Sequence, residues 1–474
     1  MKRTLLLVLP APEAPGSARI KYALFPPLGL LTVAGLTAPE RYEMRLVDEF
    51  VRPAAASPDA DLVAMTVYAS TASRAYRLAD DYRRRGAKVI LGGIHPTALP
   101  DEAAQHADAV CIGPAETVWP QVIRDFEAGS LQRFYRADRA GTADLMPMPR
   151  RDLIGRHHYL VPNTMVATRG CPHACDFCYK ASFWGRRFYE CRAAAAVERE
   201  LASLPGHSIF LLDDNFLGNR ERARDILAVL RASGKIWQAG ASLDAARVPG
   251  YLAEAYDAGC RSLFVGFESI SPENLRAANK PVNLAADYAE TIRRFHDAGI
   301  MINASFVFGF DHDGPDVFDR TLDFAIRHKL ETATFHILTP FPGTRTFDAM
   351  EANGRLLHRD WRLYDAHHAV FRPARLTPEQ LEEGQRHAYR EFYSYRSIAA
   401  RSLGMPAALK RALYNIGWKK MDWLWEPVIR LGLLACVRPV FEFVLARNTR
   451  DPRPELRSEA VTPRLKSKEL PLDT

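Results

Sequence analysis

Short apolar runs of strand type recur along this chain with a helix-length stretch between most of them, and that alternation leaves room for little but parallel α/β sheets. In the first third the runs are TLLLVLP (4–10), MRLVDEF (44–50), DLVAMTVY (61–68), KVILGG (88–93) and DAVCIG (108–113), separated by helical stretches such as 71–86. Strands joined through helices pair in parallel, so residues 1–142 are expected to form a doubly wound, Rossmann-like unit. The alternation resumes with runs at 164–169, 208–215, 236–243, 261–269, 302–310 and 333–340. Six such repeats predict a partial (β/α)6 barrel of TIM type over 158–345, with its active face at the carboxyl ends of the strands. Residues 346–474 read as mostly helical. A chain of 474 residues exceeds one ordinary core, and 47% hydrophobic with 25% charged residues fits two or three globular domains.

The strongest chemical signal is TRGCPHACDFC, which sets Cys171, Cys175 and Cys178 in one loop directly after a strand-like run. Four thiolates saturate a four-iron cluster, so three hold it and leave one iron open. A zinc site would need a fourth ligand at tetrahedral reach, for which His173 is the nearest, and a disulfide would need an oxidising compartment. Cys111, Cys191, Cys260 and Cys436 stand singly and read as small buried hydrophobes, with Cys191 a distant candidate for chemistry. Polar and small residues gather at the strand ends. In the first unit these are Ser70, Ser73, Gly92, Gly93, His95 and Gly113; in the second, Asp213, Asp214, Ser242, Asp244, Glu268, Ser269 and Thr339. Glycine there lets a backbone approach a bulky group, and Ser or Thr at a helix start can bind phosphate. No G-x-G-x-x-G follows the first strand, which disfavours a nicotinamide cofactor.

The cysteine spacing resembles the radical S-adenosylmethionine superfamily. The stretches FPPLGLLTVAGL (25–36) and LGGIHPTALPDE (91–102) resemble the cobalamin-binding domain that precedes many of its cores, and the runs SFVFGFDHD, LTPFPGT and DWRLYD resemble its hopanoid methylase-like group. The resemblance implies a 4Fe-4S cluster on the three cysteines, with S-adenosylmethionine on the open iron and a 5'-deoxyadenosyl radical as the oxidant. It places Asp213 and Asp214 where the methionine amine is held, Glu268 and Ser269 at the ribose and carboxylate, and Thr339 with LTPFPGT at the adenine. It also implies bound cobalamin, its nucleotide tail in the first sheet. The mutase motif D-x-H-x-x-G is missing, so no histidine is expected below the cobalt, and His95 is read as a wall of the tail pocket.

The implied activity is C-methylation of an unactivated carbon on a small molecule or lipid, fed by an electron donor such as flavodoxin or ferredoxin. Radical oxidation, cyclisation or rearrangement without methyl transfer is the alternative, and a non-catalytic cobalamin sensor a third reading. Of a net charge of +7, residues 401–450 alone carry +6, interleaved with Trp418, Trp423 and Trp425. That segment reads either as an interfacial membrane helix or as a helix docked on the barrel with a basic outer face. It contains no recognised RNA-binding module, so nucleic acid is not expected as a partner. No apolar leader with a cleavage site follows Met1, which points to the cytoplasm, with peripheral contact at the inner membrane face as the extension.

Overall fold

In the computed structural model, which describes residues 2–13, 25–51, 59–284, 287–405, 408–417 and 428, the apolar runs form two separate six-stranded sheets. The first holds β1 (Arg3–Leu9), β2 (Tyr42–Asp48), β3 (Leu62–Thr66), β4 (Lys88–Gly92), β5 (Ala109–Ile112) and β6 (Phe134–Arg136), in the order β2-β1-β3-β4-β5-β6. Every pairing is parallel. The last five residues of β1 are buried on both faces, as a strand between two helical layers must be. The order reverses between β1 and β3, which opens a crevice at their carboxyl ends.

The second sheet holds β7 (Thr164–Met165), β10 (Ser208–Leu211), β11 (Ile236–Ala241), β12 (Cys260–Glu268), β13 (Met301–Phe308) and β14 (Thr332–Ile337), in the order β14-β13-β12-β11-β10-β7. It is parallel throughout, an open partial barrel as expected. One expected strand is broken. The run 164–169 divides into β7 and β8 (Thr168–Gly170), and β8 leaves the barrel to pair antiparallel with β9 (Tyr189–Cys191). The two strands clamp the base of a finger that carries the three cysteines.

Residues beyond the barrel serve both sheets. Phe347, Trp361, Tyr364 and Val370 complete the apolar layer on one face of the first sheet. The helix Pro378–Phe392 starts at a capping box between Thr377 and Gln380. It packs close to the helix Val317–Arg327, because a Cβ at Gly384 would stand 2.2 Å from the Phe318 ring. Two further helices, Tyr395–Ser402 and Ala408–Asn415, close the far end of the barrel through a buried ion cluster. Arg411 donates to the Glu331 carboxylate, and Arg401 donates to the Leu330 and Glu331 carbonyls at 2.8 and 2.7 Å. No helix among the described residues is long and apolar enough to cross a membrane. The basic tryptophan segment lies almost entirely outside the described residues.

Candidate functional site

The finger departs from β8 at Gly170, where φ is +78° and a Cβ would stand 2.2 Å from the Phe188 carbonyl oxygen, so no larger residue fits. Beyond it Cys171, Cys175 and Cys178 line one pocket with His173, Lys180, Ala181 and Gly185. Among the described residues no three His, Cys, Asp or Glu groups converge on a single-ion site. The three thiols share one pocket, as a cluster held by three cysteines requires. Burial pushes all three thiols up, Cys175 to about 12, against the pull of Lys280 on Cys171 and Cys175 and of Lys180 on Cys178. Metal ligation demands thiolates, so a cluster bound here has to supply the positive charge that burial withholds.

The strand ends surround this pocket unequally. Asn215 Nδ2 donates to Cys171 Sγ at 3.7 Å and to Ser242 Oγ at 2.9 Å. Ser242 donates in turn to Asp244, and His173 Nε2 lies 3.2 Å from the same hydroxyl and 3.3 Å from the Asp244 carboxylate. Burial raises the Asp244 carboxyl, but the hydrogen bonds from His173 and Ser242 outweigh it and hold the group low. Asp214 is engaged by Lys180, which lines the cysteine pocket. Glu268, at a φ of 60°, accepts from the buried Lys280 ammonium at 2.5 Å, and Lys280 also donates to the Gly266 carbonyl at 3.0 Å. Ser269 accepts from the Ser271 amide at 3.1 Å, and Thr339 donates to its neighbour Ile337 at 3.1 Å.

Asp213 stands apart from these. Its carboxylate accepts from the Ala167 amide at 3.2 Å and from both the amide and the hydroxyl of Thr168. Burial raises its pKa to about 6, opposed by those hydrogen bonds. Held by the strand that launches the finger, Asp213 anchors the backbone in this structure.

In the first sheet the expected residues divide between two cavities. Gly92, Gly93 and Gly113 line a slot of about 150 Å³ with Gly29, Ala64, Ile90 and Cys111. A Cβ at Gly29 would meet nothing within 4 Å, and one at Gly92 would reach Cys111 at 3.5 Å, so the missing side chains keep the slot open. Its apolar walls and its place over the carboxyl ends of β3, β4 and β5 suit a flat heteroaromatic tail. Ser70 and His95 line a second cavity of about 170 Å³, together with Tyr68, Tyr179, Phe341, Tyr364 and Asp365. The buried His95 ring lies 3.2 Å from Glu102 and edge-on to Trp361 at 5.1 Å. It therefore borders the aromatic cavity between the sheets and not the glycine slot. Ser73 sits near the start of the helix Ala72–Arg84, outside both linings.

Lys180, Lys280 and Tyr179 escaped sequence reasoning, as did Arg169 and Trp184, which line the rim of the slot. Lys180 and Tyr179 directly follow Cys178, which was a usable signal; for Lys280 there was none.

The radical SAM superfamily model matches residues 165–325, and the B12 binding domain model matches residues 22–123. Bacteriochlorophyllide d C-12(1)-methyltransferase of Chlorobaculum tepidum is 30% identical over 418 residues, covering 84% of this chain and 86% of its own length. The C-8(2)-methyltransferase of the same organism is 29% identical, with 83% and 90% covered. The hopanoid C-2 methylase of Rhodopseudomonas palustris is 28% identical, with 72% and 67% covered. Among solved structures, OxsB with aqua-cobalamin and S-adenosylmethionine superposes with a TM-score of 0.66 at 14% identity, covering 97% of this chain and 74% of that one. The methyltransferase TsrM of Kitasatospora setae, with a tryptophan substrate and a SAM analogue, gives 0.56 at 17% identity, with 74% and 76% covered. Carrying both domains, a cysteine pocket and a glycine slot that fit their cofactors, and relatives alike along most of their length, the chain belongs to the cobalamin-dependent radical S-adenosylmethionine C-methyltransferases.

Proposed function

We propose that the protein methylates an unactivated carbon of a mainly apolar ring compound, one edge of which enters the aromatic cavity of about 170 Å³ between the two sheets. That cavity carries the reading. Tyr68, Ile94, Tyr179, Phe341, Pro342 and Tyr364 wall it, with Ser70 and Asp365 as its polar edge, and Tyr179 belongs to the cysteine finger. When bound, the cluster supplies the electron that cleaves S-adenosylmethionine, and cobalamin carries the methyl group. A substrate held between the cysteine pocket and the first sheet is within reach of both, and the packed aromatic faces keep water out. The relatives above act on bacteriochlorophyllide d and on hopanoids, both built on large ring systems.

Within this reading Cys171, Cys175 and Cys178 hold the cluster, while Asp214, Ser242, Glu268, Ser269 and Thr339 face S-adenosylmethionine at the strand ends. The glycine slot takes the nucleotide tail of cobalamin. The electron comes from a small carrier such as flavodoxin or ferredoxin.

The test is anaerobic turnover of reconstituted protein with a chlorophyllide and with a hopene, using S-adenosylmethionine labelled in its methyl group. Labelled product from either, lost in Tyr68→Ala and Tyr179→Ala together with substrate binding, supports the proposal. An oxidised or cyclised product without label overturns it in favour of radical chemistry without transfer.

A further inference from the structure

The rim of the glycine slot is not built by the first sheet alone. Arg169, Phe183 and Trp184 line it beside Glu116 and Trp119; Arg169 comes from β8 at the base of the finger that carries the cysteines, and the other two from the finger itself. Arg169 lies two residues before Cys171 and donates to Glu116, a buried carboxylate in the first turn of the helix Ala115–Glu127. Its guanidinium also stands 5.0 Å from the centre of the Trp184 ring. Trp184 stacks on Phe188 at 6.0 Å and 8°. From the connection between the sheets, Arg139 donates to the carbonyls of Phe183 and Ser182 at 2.8 and 3.1 Å.

These contacts converge on one short helix, Lys180–Trp184, which begins two residues after Cys178. Its first residues, Lys180 and Ala181, line the cysteine pocket; its last, Phe183 and Trp184, line the slot. A five-residue helix makes little stability of its own, since its few backbone bonds barely offset the cost of nucleation. Its position is therefore set by what grips each end.

We propose that this helix, with Arg169, is the closing wall of the cobalamin tail site, so that loading the cluster and seating the tail order the same piece of chain. The inference rests on the placement of the tail in the glycine slot proposed above. Glu116 and Arg169 act as positioning residues: the carboxylate fixes the guanidinium, the guanidinium supports the Trp184 face, and Trp184 closes on the tail. Because coupling is reciprocal, the cluster raises the affinity for cobalamin by the factor by which cobalamin raises that for the cluster.

Absorbance titrations of the full-length protein with hydroxocobalamin, and with cobinamide, which lacks the nucleotide tail, test this directly. Wild type, Trp184→Ala and Glu116→Gln are each measured with the cluster reconstituted and after chelator has removed it. Loaded wild type is expected to bind hydroxocobalamin about tenfold more tightly than stripped wild type, a typical coupling, and cobinamide alike in both states. Both variants should lose that tenfold difference and keep cobinamide binding, which also shows that they are folded. Equal losses for the two corrinoids, or a wild-type affinity for hydroxocobalamin indifferent to the cluster, would overturn the inference alone. Failure of wild type to prefer hydroxocobalamin over cobinamide in either state would overturn the slot assignment, and this inference with it.

Discussion

Replacing Asp213 separates two roles that a carboxylate at the end of a barrel strand can play. Asp213 is 7% exposed and accepts from three donors: the amides of Ala167 and Thr168 and the Thr168 hydroxyl. In Asp213→Asn one oxygen becomes an NH2 group, and at least one backbone N–H is left facing a donor instead of an acceptor. A buried donor without a partner costs about 1–3 kcal/mol, and the lost charge-assisted bond adds about as much, so a total of about 2–6 kcal/mol is expected. Asp213→Ala orphans all three donors and costs at least as much. The damage should centre on β8 and the finger it launches. Denaturant unfolding should show a lowered midpoint, and reconstitution should give fewer irons per chain. Were Asp213 instead an open ligand for the methionine amine, the Asn variant would keep its stability and its four irons and lose only S-adenosylmethionine affinity. That pattern would refute the anchor assignment.

Other perturbations have equally definite outcomes. Arg411→Met should destabilise the far end of the barrel by about 3–5 kcal/mol by thermal or denaturant unfolding, since it leaves the Glu331 carboxylate, 3% exposed, without its guanidinium. Burial alone would raise Glu331, but His296 and Arg411 outweigh it and hold the group at about 2, below the usual glutamate value of 4.5. A carboxylate lowered on folding stabilises the native state above its unfolded pKa, so up to about 3 kcal/mol should be lost as pH falls from about 4.5 towards 2, and Glu331→Gln should lose less over that window. Gly93→Ala should cost about 1–3 kcal/mol and weaken corrinoid binding, because φ is +100° there and a Cβ would stand 2.9 Å from both Thr66 Oγ1 and the Val67 nitrogen. If residues 415–448 lie on an anionic membrane, vesicle binding should be salt-sensitive and weakened by Lys419→Gln, Lys420→Gln and Arg430→Gln; indifference to such vesicles at low salt makes the segment a docked helix.

What was legible in the sequence was what a local pattern records. Ten of the expected strands fall within a few residues of an observed one, because a parallel strand covered on both faces is a continuous apolar run. The cysteine pocket was equally visible, since all three thiols lie on one loop. The misreadings arise where distant residues intervene. The run 164–169 reads as one strand, yet the Asp213 carboxylate, 46 residues away from Ala167, captures the amides of Ala167 and Thr168 and turns the chain out of the barrel. β6 is only three residues long and includes an arginine, too little pattern to register. The place of His95 after β4 announces none of its neighbours Tyr76, Glu102 and Trp361, and the tryptophan, 259 residues beyond Glu102, cannot be foreseen from the strand.

Burial sets the three thiols high, and the charges around them do little to offset it. Two lysines stand beside the triad, and each already has a carboxylate: Lys180 has Asp214 and Lys280 has Glu268. Burial lowers Lys180, whereas at Lys280 burial opposes charge and Glu268 outweighs it, so that ammonium is held above its usual range. With both pairs closed, little positive charge is left to stabilise three thiolates, and the pocket favours protonated thiols until metal displaces the protons. Glu268 is held in place by the same pairing. Its φ of 60° costs about 1 kcal/mol for a residue with a Cβ. The register shift between Gly266 and Glu268 turns its side chain towards Lys280, whose ammonium bridges the carboxylate and the Gly266 carbonyl. A Cβ at Gly266 would stand 2.2 Å from the Glu268 oxygen and 2.8 Å from the ammonium, so a larger residue there would displace the pair. The strained backbone and the buried ammonium thus persist together: removing Lys280 would leave Glu268 strained and uncompensated, and removing Glu268 would leave a buried cation beside the cysteines.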